Sequence, residues 1–230
     1  MGGQACVFYG AAEFSRDLDL LILADVANLP NLKRALDELD ALDAEAMAVP
    51  PLEERHLLRG HAVHFRCRRD DIAGLRIDLM SSLRGVAGFE ELWARRTIIE
   101  VGGEPIDLLA MEDLVRAKKT QRDKHWPMIR RLVEQSYFGH SANATPELVR
   151  FWLRELRTPE LLVEVACAHP ELAGAEAGLR PAVQAALAAR PDEVSEALEA
   201  EEREERRKDR ESWAPLKREL EEFRLGRSRQ

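Results

Sequence analysis

A pair of aspartates at the start of an apolar run constrains this chain more than any other feature of its sequence. Asp17 and Asp19 open a run of leucine and isoleucine that has the composition of a buried β-strand. Successive strand side chains alternate between faces, so the two aspartates share one face and Leu18, Leu20 and Ile22 share the other. Two adjacent carboxylates repel each other unless a cation lies between them, and hard oxygen ligands of this kind suit Mg²⁺.

Composition excludes several classes of protein. The chain has 230 residues, 45% of them hydrophobic, which suffices for one substantial domain or two small ones. A formal net charge of -8 excludes indiscriminate nucleic-acid binding through a global basic field. No apolar run approaches the roughly 20 residues that span a bilayer, and no signal peptide is visible, so no membrane partner is expected.

The three cysteines, Cys6, Cys67 and Cys167, lack the spacing of a metal or redox site. We expect all three to be small buried residues in a reduced, cytoplasmic protein. The start of the chain is unusual, because Met1 is followed at once by the pair Gly2-Gly3. No strand precedes this turn in the sequence, which predicts that the chain is a fragment or that its start was assigned too far along the sequence. The alternative is a mature domain that begins here.

Periodicity predicts an α+β region followed by helices. Expected elements of the first region are helices over 4–12 and 30–42, a strand over 17–24, alternating strands over 61–68 and 75–80 and a hairpin over 97–109. The later helices are expected over 111–121, 126–136, 146–157, 159–168 and 180–190. The resulting organisation is a sheet domain over 1–110, a helical region over 111–190 and a charged C-terminal helix over 191–230.

The C-terminal helix carries glutamates four residues before basic residues, the favourable order for helical ion pairs. These pairs are Glu199–Arg203, Glu202–Arg206 and Glu204–Lys208. Residues 199–212 have almost no apolar stripe, so this stretch is predicted to be solvated. An apolar edge returns at Trp213, Leu216, Leu220 and Phe223.

A third acid, Asp78, lies on an alternating strand with Arg76 and Met80, and Ile77 and Leu79 point to the opposite face. If this strand neighbours the first one, Asp78 converges with the two earlier aspartates. Such a trio could hold one or two Mg²⁺ ions against the phosphates of a nucleotide, and Asp78 could accept a proton from an attacking hydroxyl. In the alternative reading, the three acids are a strand cap and two surface positions.

Two further sets of residues are candidates for phosphate binding. Gly2 and Gly3 at a helix start would let a phosphate approach backbone N–H groups, with Ser15 and Arg16 as added donors; a simple tight turn is the alternative.

Lys118 is expected on the inward stripe of a helix, at a position where a lysine either snorkels or meets an anion. The apolar positions of that stripe are Met111, Leu114 and Val115. Lys118, Arg122 and Lys124 are therefore candidate phosphate ligands, whereas Lys119 is expected to point to solvent.

His64, Arg66 and Arg68 form the polar face of another alternating strand. This face either abuts the carboxylates and binds substrate or phosphate, or is solvated.

The order of these motifs along the chain resembles that of the nucleotidyltransferase superfamily typified by DNA polymerase beta. Its elements are a Gly-Gly turn, a helix, Ser-Arg-Asp-Leu-Asp over 15–19 and a third acid on a later strand. Residues 109–119 and 122–125 look like the segment after the core in small bacterial nucleotidyltransferase-like proteins, which include abortive-infection and toxin–antitoxin relatives. The resemblance covers about residues 2–130. His125 departs from it, because relatives often carry aspartate there.

The resemblance implies a mixed-sheet nucleotidyltransferase core followed by an all-helical C-terminal region. It implies Mg²⁺-dependent transfer of a nucleoside monophosphate from an NTP, with ATP the expected nucleotide, to a hydroxyl of a small molecule, a tRNA or a protein. By this resemblance, Gly2 and Gly3 match the phosphate-cradling turn, and Lys118 matches a helical lysine. The aspartates Asp17, Asp19 and Asp78 match the metal ligands and catalytic acids.

The sequence leaves a rival of another class open. In that alternative, the chain is a component of a toxin–antitoxin or defence pair that acts mainly by binding. The apolar edge of the C-terminal helix would then dock a protein partner.

Overall fold

A computed structural model describes residues 1–43 and 50–227. The architecture is α+β, as the sequence predicts, and the chain divides into two compact units. The first unit contains Met1–Phe8, Ala12–Ala117 and the chain from Glu211 onward, and the second contains Tyr9–Ala11 and Lys118–Arg210. Within the described residues, no helix has both the length and the apolar character needed to cross a membrane.

The strands of the first unit form a mixed four-stranded sheet and a separate two-stranded hairpin. They are β1 (Asp17–Leu21), β2 (Ala41–Asp43), β3 (Val63–Cys67), β4 (Arg76–Met80), β5 (Thr97–Val101) and β6 (Glu104–Leu108). The four-stranded sheet has the order β1-β4-β3-β2, and β1 and β4 are parallel whereas the other pairs are antiparallel. The predicted hairpin is confirmed, with Gly102 and Gly103 between its strands.

Short helices flank these strands in the first unit. They are α1 (Gly2–Phe8), α2 (Asn28–Glu38), α3 (Glu54–Arg59), α4 (Phe89–Ala94) and α5 (Met111–Ala117). Alternation along the strands sends one face of the sheet into an apolar core. Val63, Phe65 and Cys67 of β3 are buried there with Ile77 and Leu79 of β4. The opposite face of these strands is polar, which leaves it available for chemistry.

The second unit is built from helices. They are α6 (His125–His140), α7 (Pro146–Glu155), α8 (Pro159–Ala168), α9 (Pro170–Ala177), α10 (Pro181–Leu187) and the first part of α11 (Pro191–Arg227). Proline begins each of α7 to α11, where its fixed φ suits the first helical position and its missing N–H costs nothing. The sequence missed α9, because its eight residues are mainly alanine and glutamate and show no apolar periodicity.

Two sequence predictions about burial are wrong. Cys6 and Cys67 are buried, but the side chain of Cys167 is exposed. Lys119 does not point to solvent, because its Nζ lies 2.7 Å from Glu155 Oε2 and its side chain is only 17% exposed. The partner is 36 residues away in sequence, so no local pattern could reveal this ion pair.

The prediction of a fully solvated C-terminal helix over 199–212 is also wrong. We give the name inner stripe of α11 to four of its polar residues, of which Glu201, Glu202 and Arg206 are half-buried and Asp209 is buried. The predicted helical pairs form, with N–O distances of 3.4 Å for Arg203–Glu199 and 2.8 Å for Arg206–Glu202. Within the second unit the inner stripe also contacts other helices and loops, so its charges are structural.

Candidate functional site

The parallel pairing of β1 and β4 brings the predicted acids onto one polar face. Asp19 is the register partner of Asp78, and Asp17 is the partner of Arg76. Their neighbours Leu18 and Ile77 pair on the apolar side, which fixes the register because a one-residue shift would send the aspartates into the core. We call this surface the acid face. Its like charges on adjacent strands destabilise the sheet unless a cation offsets them.

Asp78 is buried and obtains its partners from the same face. Its Oδ1 accepts a hydrogen bond from Arg76 Nε at 2.7 Å and lies 2.7 Å from Nδ1 of His64, its register partner on β3. Burial alone would raise the pKa of Asp78, but the hydrogen bonds and positive charge of His64 and Arg76 outweigh it and hold the pKa below its usual value. Asp78 is therefore ionised at neutral pH and is a weak proton acceptor.

The polar face of β3 divides between the two alternatives that the sequence leaves open, because His64 contacts the Asp78 carboxylate. Arg66 is exposed on the same face of that strand, and Arg68 follows the strand and is also exposed. The sequence placed Arg76 on the face of Asp78 without giving it a role. Its position two residues before the acid was the available signal, because residues two apart on a strand lie on one side.

The glycine pair packs directly against the second aspartate. Gly2 has a φ of +66°, a conformation that glycine adopts without strain, and Gly3 N–H donates to Asp19 Oδ2 at 3.2 Å. A Cβ added to Gly2 would lie 1.9 Å from Asp19 Oδ2, so no side chain fits there. The glycines therefore do more than form a tight turn, because they bring backbone up to a carboxylate of the acid face.

Ser15 and Arg16 make different contacts from each other. Ser15 Oγ donates to the backbone oxygen of Asp17 at 3.1 Å, and a Cβ on Gly3 would lie 2.4 Å from that hydroxyl oxygen. Ser15 is thus part of the packing between the turn and β1. Arg16 is exposed, with its guanidinium carbon 5.9 Å from the centre of the Phe14 ring.

The carboxylate oxygens of Asp17 and Asp19 determine which metal ion the acid face could bind. Within residues 1–43 and 50–227, no group of three or more His, Cys, Asp or Glu side chains is arranged to hold a metal ion. Asp17 and Asp19 nevertheless supply two hard oxygen donors, and Mg²⁺ in proteins is commonly bound by one or two carboxylates together with substrate phosphates. Bound by this pair, a Mg²⁺ ion from solution would keep coordination positions for water or for other oxygen ligands.

The other predicted phosphate ligands belong to the second unit. Helix α5 ends at Ala117, so Lys118 does not lie on its inward stripe, although Lys118 is buried with 8% of its surface exposed. Arg122 and Lys124 are exposed. Burial, together with the charges of these three cations, lowers the pKa of His125 to about 4, so that ring is neutral at physiological pH.

The backbone after Lys118 is held by side chains instead of by a helix. Trp126 Nε1 donates to Thr120 O at 2.8 Å, and Thr120 Oγ1 lies 2.7 Å from His125 Nδ1. The continued 3.6-residue pattern in the sequence could not reveal this early end of the helix.

The apolar edge of the C-terminal helix packs within the first unit. The Phe223 ring lies 5.1 Å from the ring of His56 in an edge-to-face arrangement, and Glu219 Oε2 lies 2.8 Å from Nε2 of the buried His61. Trp213, Leu216 and Leu220 are each partly buried. These contacts occupy much of the edge that the sequence offered as a surface for a partner.

Comparisons with protein-family models, with curated proteins and with solved structures find no match to this chain. The resemblance to nucleotidyltransferases stays a hypothesis that depends on the residues of this chain.

Proposed function

We propose that this chain is a Mg²⁺-dependent nucleotidyltransferase that transfers a nucleoside monophosphate from an NTP to a hydroxyl acceptor. One observation carries the proposal, the contact between Gly2-Gly3 and Asp19. A turn without side chains adjoins a carboxylate pair there, and this is the combination that a metal-bound triphosphate requires. Backbone N–H groups can approach phosphate oxygens, and carboxylates can bind the accompanying cation.

Asp17 and Asp19 would hold the Mg²⁺ ion, which when bound neutralises negative charge on the triphosphate. Gly2 and Gly3 let the turn pack against the Asp19 carboxylate and the Ser15 hydroxyl, so the turn would meet the phosphates with backbone alone. Asp78 completes the acid face as its third carboxylate, kept ionised by Arg76 and His64. The chain's own contribution would be to fix the nucleotide and the acceptor in line, which accounts for a large part of catalysis in reactions of this type.

ATP is the nucleotide we propose, and the predicted role of Lys118 in nucleotide binding is kept as part of the hypothesis. We also propose a reducing, cytoplasmic location, because Cys6, Cys67 and Cys167 are not joined in disulfide bonds. The rival function, partner binding in a toxin–antitoxin or defence pair, would require the end of α11 to give up its contacts with His56 and His61.

A transfer assay tests the proposal. The full chain is incubated with Mg²⁺ and each NTP labelled at the α-phosphate, and release of pyrophosphate and transfer of label are followed. We expect activity with one or more NTPs, and a loss of about 1,000-fold or more in the double variant Asp17→Ala and Asp19→Ala, because several kcal/mol of charge stabilisation are removed.

The matched control removes two exposed carboxylates elsewhere in the same unit, Asp37→Ala with Asp70→Ala. This control should retain full activity. Absence of transfer with every NTP, or equal activity in the two double variants, would overturn the proposal.

A further inference from the structure

A pocket of about 440 Å³ opens at the carboxyl end of β1. Three segments of the first unit line it: the end of β1, the loop that leads into α2 and the start of α4. The lining includes Leu21, Leu23, Asp25, Asn28, Phe89 and Trp93. This volume lies within the range of small-molecule sites, and ligands commonly bind beyond the carboxyl ends of strands in α/β sheets.

The pocket reaches both sides of the chain at the end of β1, because its lining includes Leu21 and Ile22. Leu18, Leu20 and Ile22 pack against the apolar core, so alternation puts Leu21 on the side of Asp19. Leu21 follows Asp19 by two residues, which is about 7 Å along a strand at roughly 3.4 Å per residue. A ligand in the pocket could therefore extend a group of that length towards Asp19.

The aromatic wall of the pocket is held in one orientation. Trp93 is 43% exposed, yet its ring stacks on Phe89 with centroids 5.7 Å apart and an interplanar angle of 16°. The guanidinium of Arg96 lies 4.0 Å from the centre of the Trp93 ring, and Arg96 Nε donates to Asp107 Oδ1 at 2.5 Å. An exposed indole fixed in this way gives a ligand a preformed apolar surface, so little side-chain entropy is lost on binding.

The polar groups of the pocket accept hydrogen bonds. Asp25 Oδ1 accepts from the backbone N–H of Asn28 at 2.6 Å, and Asn28 Nδ2 donates to Leu23 O at 2.9 Å. Both side chains are fixed by these bonds, and Asp25 Oδ2 and Asn28 Oδ1 can each accept a hydrogen bond from a ligand. The residues that line the pocket, all within the described chain, include one carboxylate and no cationic side chain. Asp25 therefore favours a cationic hydrogen-bond donor at its end of the pocket, whereas the Arg96 guanidinium lies at the Trp93 end.

We propose that this pocket binds the acceptor of the transfer reaction, and that the acceptor is a small molecule with an apolar or aromatic ring, a protonated amine and a hydroxyl. The assignment as acceptor site depends on the proposed function. The amine pairs with Asp25, the ring lies against Trp93 and Phe89, and the hydroxyl points towards Asp19. The polyanionic end of a tRNA would meet the carboxylate of Asp25, so the pocket argues against a tRNA acceptor.

In the reaction, the hydroxyl oxygen of the acceptor forms a bond to the α-phosphorus of the NTP. The bond from that phosphorus to the bridging oxygen breaks, and pyrophosphate leaves with the electron pair. The hydroxyl proton is released to solvent. The amine takes no part in bond making, and its role is to position the hydroxyl.

Two probes of the same shape test the charge preference: tyramine, and 3-(4-hydroxyphenyl)propionate, which replaces the amine by a carboxylate. Binding to the full chain is measured by calorimetry without nucleotide or Mg²⁺. We expect tyramine to bind about tenfold or more tightly than the acid, a difference that one well-placed charge pair can supply.

Asp25→Asn keeps an acceptor for the Asn28 N–H but removes the charge, and it should abolish the preference for tyramine. Trp93→Ala should weaken both probes by about tenfold. The matched control, Asp37→Asn on the exposed side of α2, should change neither. Equal binding of the two probes, a preference that persists in Asp25→Asn, or no binding of either probe would overturn the inference.

The binding data separate failure of this inference from failure of the proposed function. Transfer of label from an NTP in a chain that binds neither probe overturns the pocket assignment alone. A clear tyramine preference in a chain that transfers no label overturns the proposed function, and the role of the pocket as an acceptor site is overturned with it.

Discussion

The acid face of the sheet and the inner stripe of α11 differ in how their carboxylates are paired. On the inner stripe, arginine side chains of the same unit pair with the acids. Arg157 lies 3.7 Å from Glu201 and donates to Leu198 O at 2.6 Å. Arg206 pairs with Glu202 at 2.8 Å. On the acid face, Asp78 is paired with Arg76 and His64, whereas its register partner Asp19 contacts backbone groups: Gly3 N–H donates to its Oδ2, and the N-terminal ammonium donates to its backbone oxygen at 2.9 Å. Within the described residues, no Lys, Arg or His side chain forms an ion pair with Asp17 or Asp19.

This difference separates structural charges from functional ones. A buried charge whose partners all come from the chain holds the fold together, and its removal leaves the partners uncompensated. A carboxylate pair that no side-chain cation offsets costs stability in the isolated protein, so such a pair favours binding of a cation from solution. Removing charges from each region in turn tests this distinction.

The largest effect is expected in the second unit. Arg157 is 7% exposed, contacts Glu201 and lies 4.6 Å from the centre of the Trp126 ring. Arg157→Met should lower the free energy of unfolding by about 3–5 kcal/mol, the usual result of removing one partner of a buried ion pair. Urea denaturation measures this change.

The control for Arg157 is the exposed pair on the same helix. Arg203→Met removes an ion pair with Glu199 of 3.4 Å in solvent and should cost less than about 1 kcal/mol. Equal losses in the two variants would show that the inner stripe does not carry structural charges.

The next effect concerns the one compensated acid of the acid face. Asp78→Asn should lower stability by roughly 2–3 kcal/mol at pH 7, because hydrogen bonds from charged Arg76 and from His64 are weakened. The folded pKa of Asp78 lies below its unfolded value, so its contribution is present above about pH 4 and is lost as the pH falls through the folded pKa. Urea midpoints from pH 7 to pH 2.5 should therefore converge for the wild type and the variant.

Asp71→Asn is the matched control, because Asp71 also accepts from an arginine two residues earlier, Arg69, but in solvent. Its substitution should change stability little at any pH. A constant difference between Asp78→Asn and the wild type down to pH 2.5 would contradict the assigned pKa direction.

A smaller effect tests the contact between the glycine turn and the acid face. Gly85→Ala should cost about 1–2 kcal/mol, because its φ of +79° strains an L residue and its Cβ meets nothing within 4 Å. Gly2→Ala carries the same strain and in addition a clash with Asp19, which should add roughly 1–3 kcal/mol. If the two alanine variants lose the same stability, the packing of the turn on Asp19 is refuted.

The acid face could be predicted from the sequence because it follows from the alternation of side chains along β-strands. A period of two, with apolar residues on the alternate positions, determines both the exposed face and the register, so Asp17, Asp19 and Asp78 could be grouped from the sequence. Other features depended on distant partners. The end of α5 at Ala117 and the ion pair between Lys119 and Glu155 are set by tertiary contacts that have no local pattern.

The ion pairs of the inner stripe also could not be predicted from the sequence. A helix rich in glutamate and arginine reads as solvated, and only the packed structure supplies Arg157 and Arg180 as partners for Glu201. The pocket at the end of β1 was missed for a related reason. Asp25 and Trp93 are 68 positions apart in a chain with many acids, and neither stands out before the fold joins them.

The most direct test of the central claim, that the acid face takes a cation from solution, is the Mg²⁺ dependence of unfolding. Urea denaturation with and without MgCl₂ is compared for the wild type, for Asp17→Asn with Asp19→Asn, and for the control Asp37→Asn with Asp70→Asn. The wild type and the control should gain about 1.4 kcal/mol when Mg²⁺ is at ten times its dissociation constant, and the acid-face variant should gain nothing. Without Mg²⁺, that variant should be at least as stable as the wild type, because like-charge repulsion is removed. An equal gain in all three proteins, or a loss of stability in the Mg²⁺-free acid-face variant, would contradict this account.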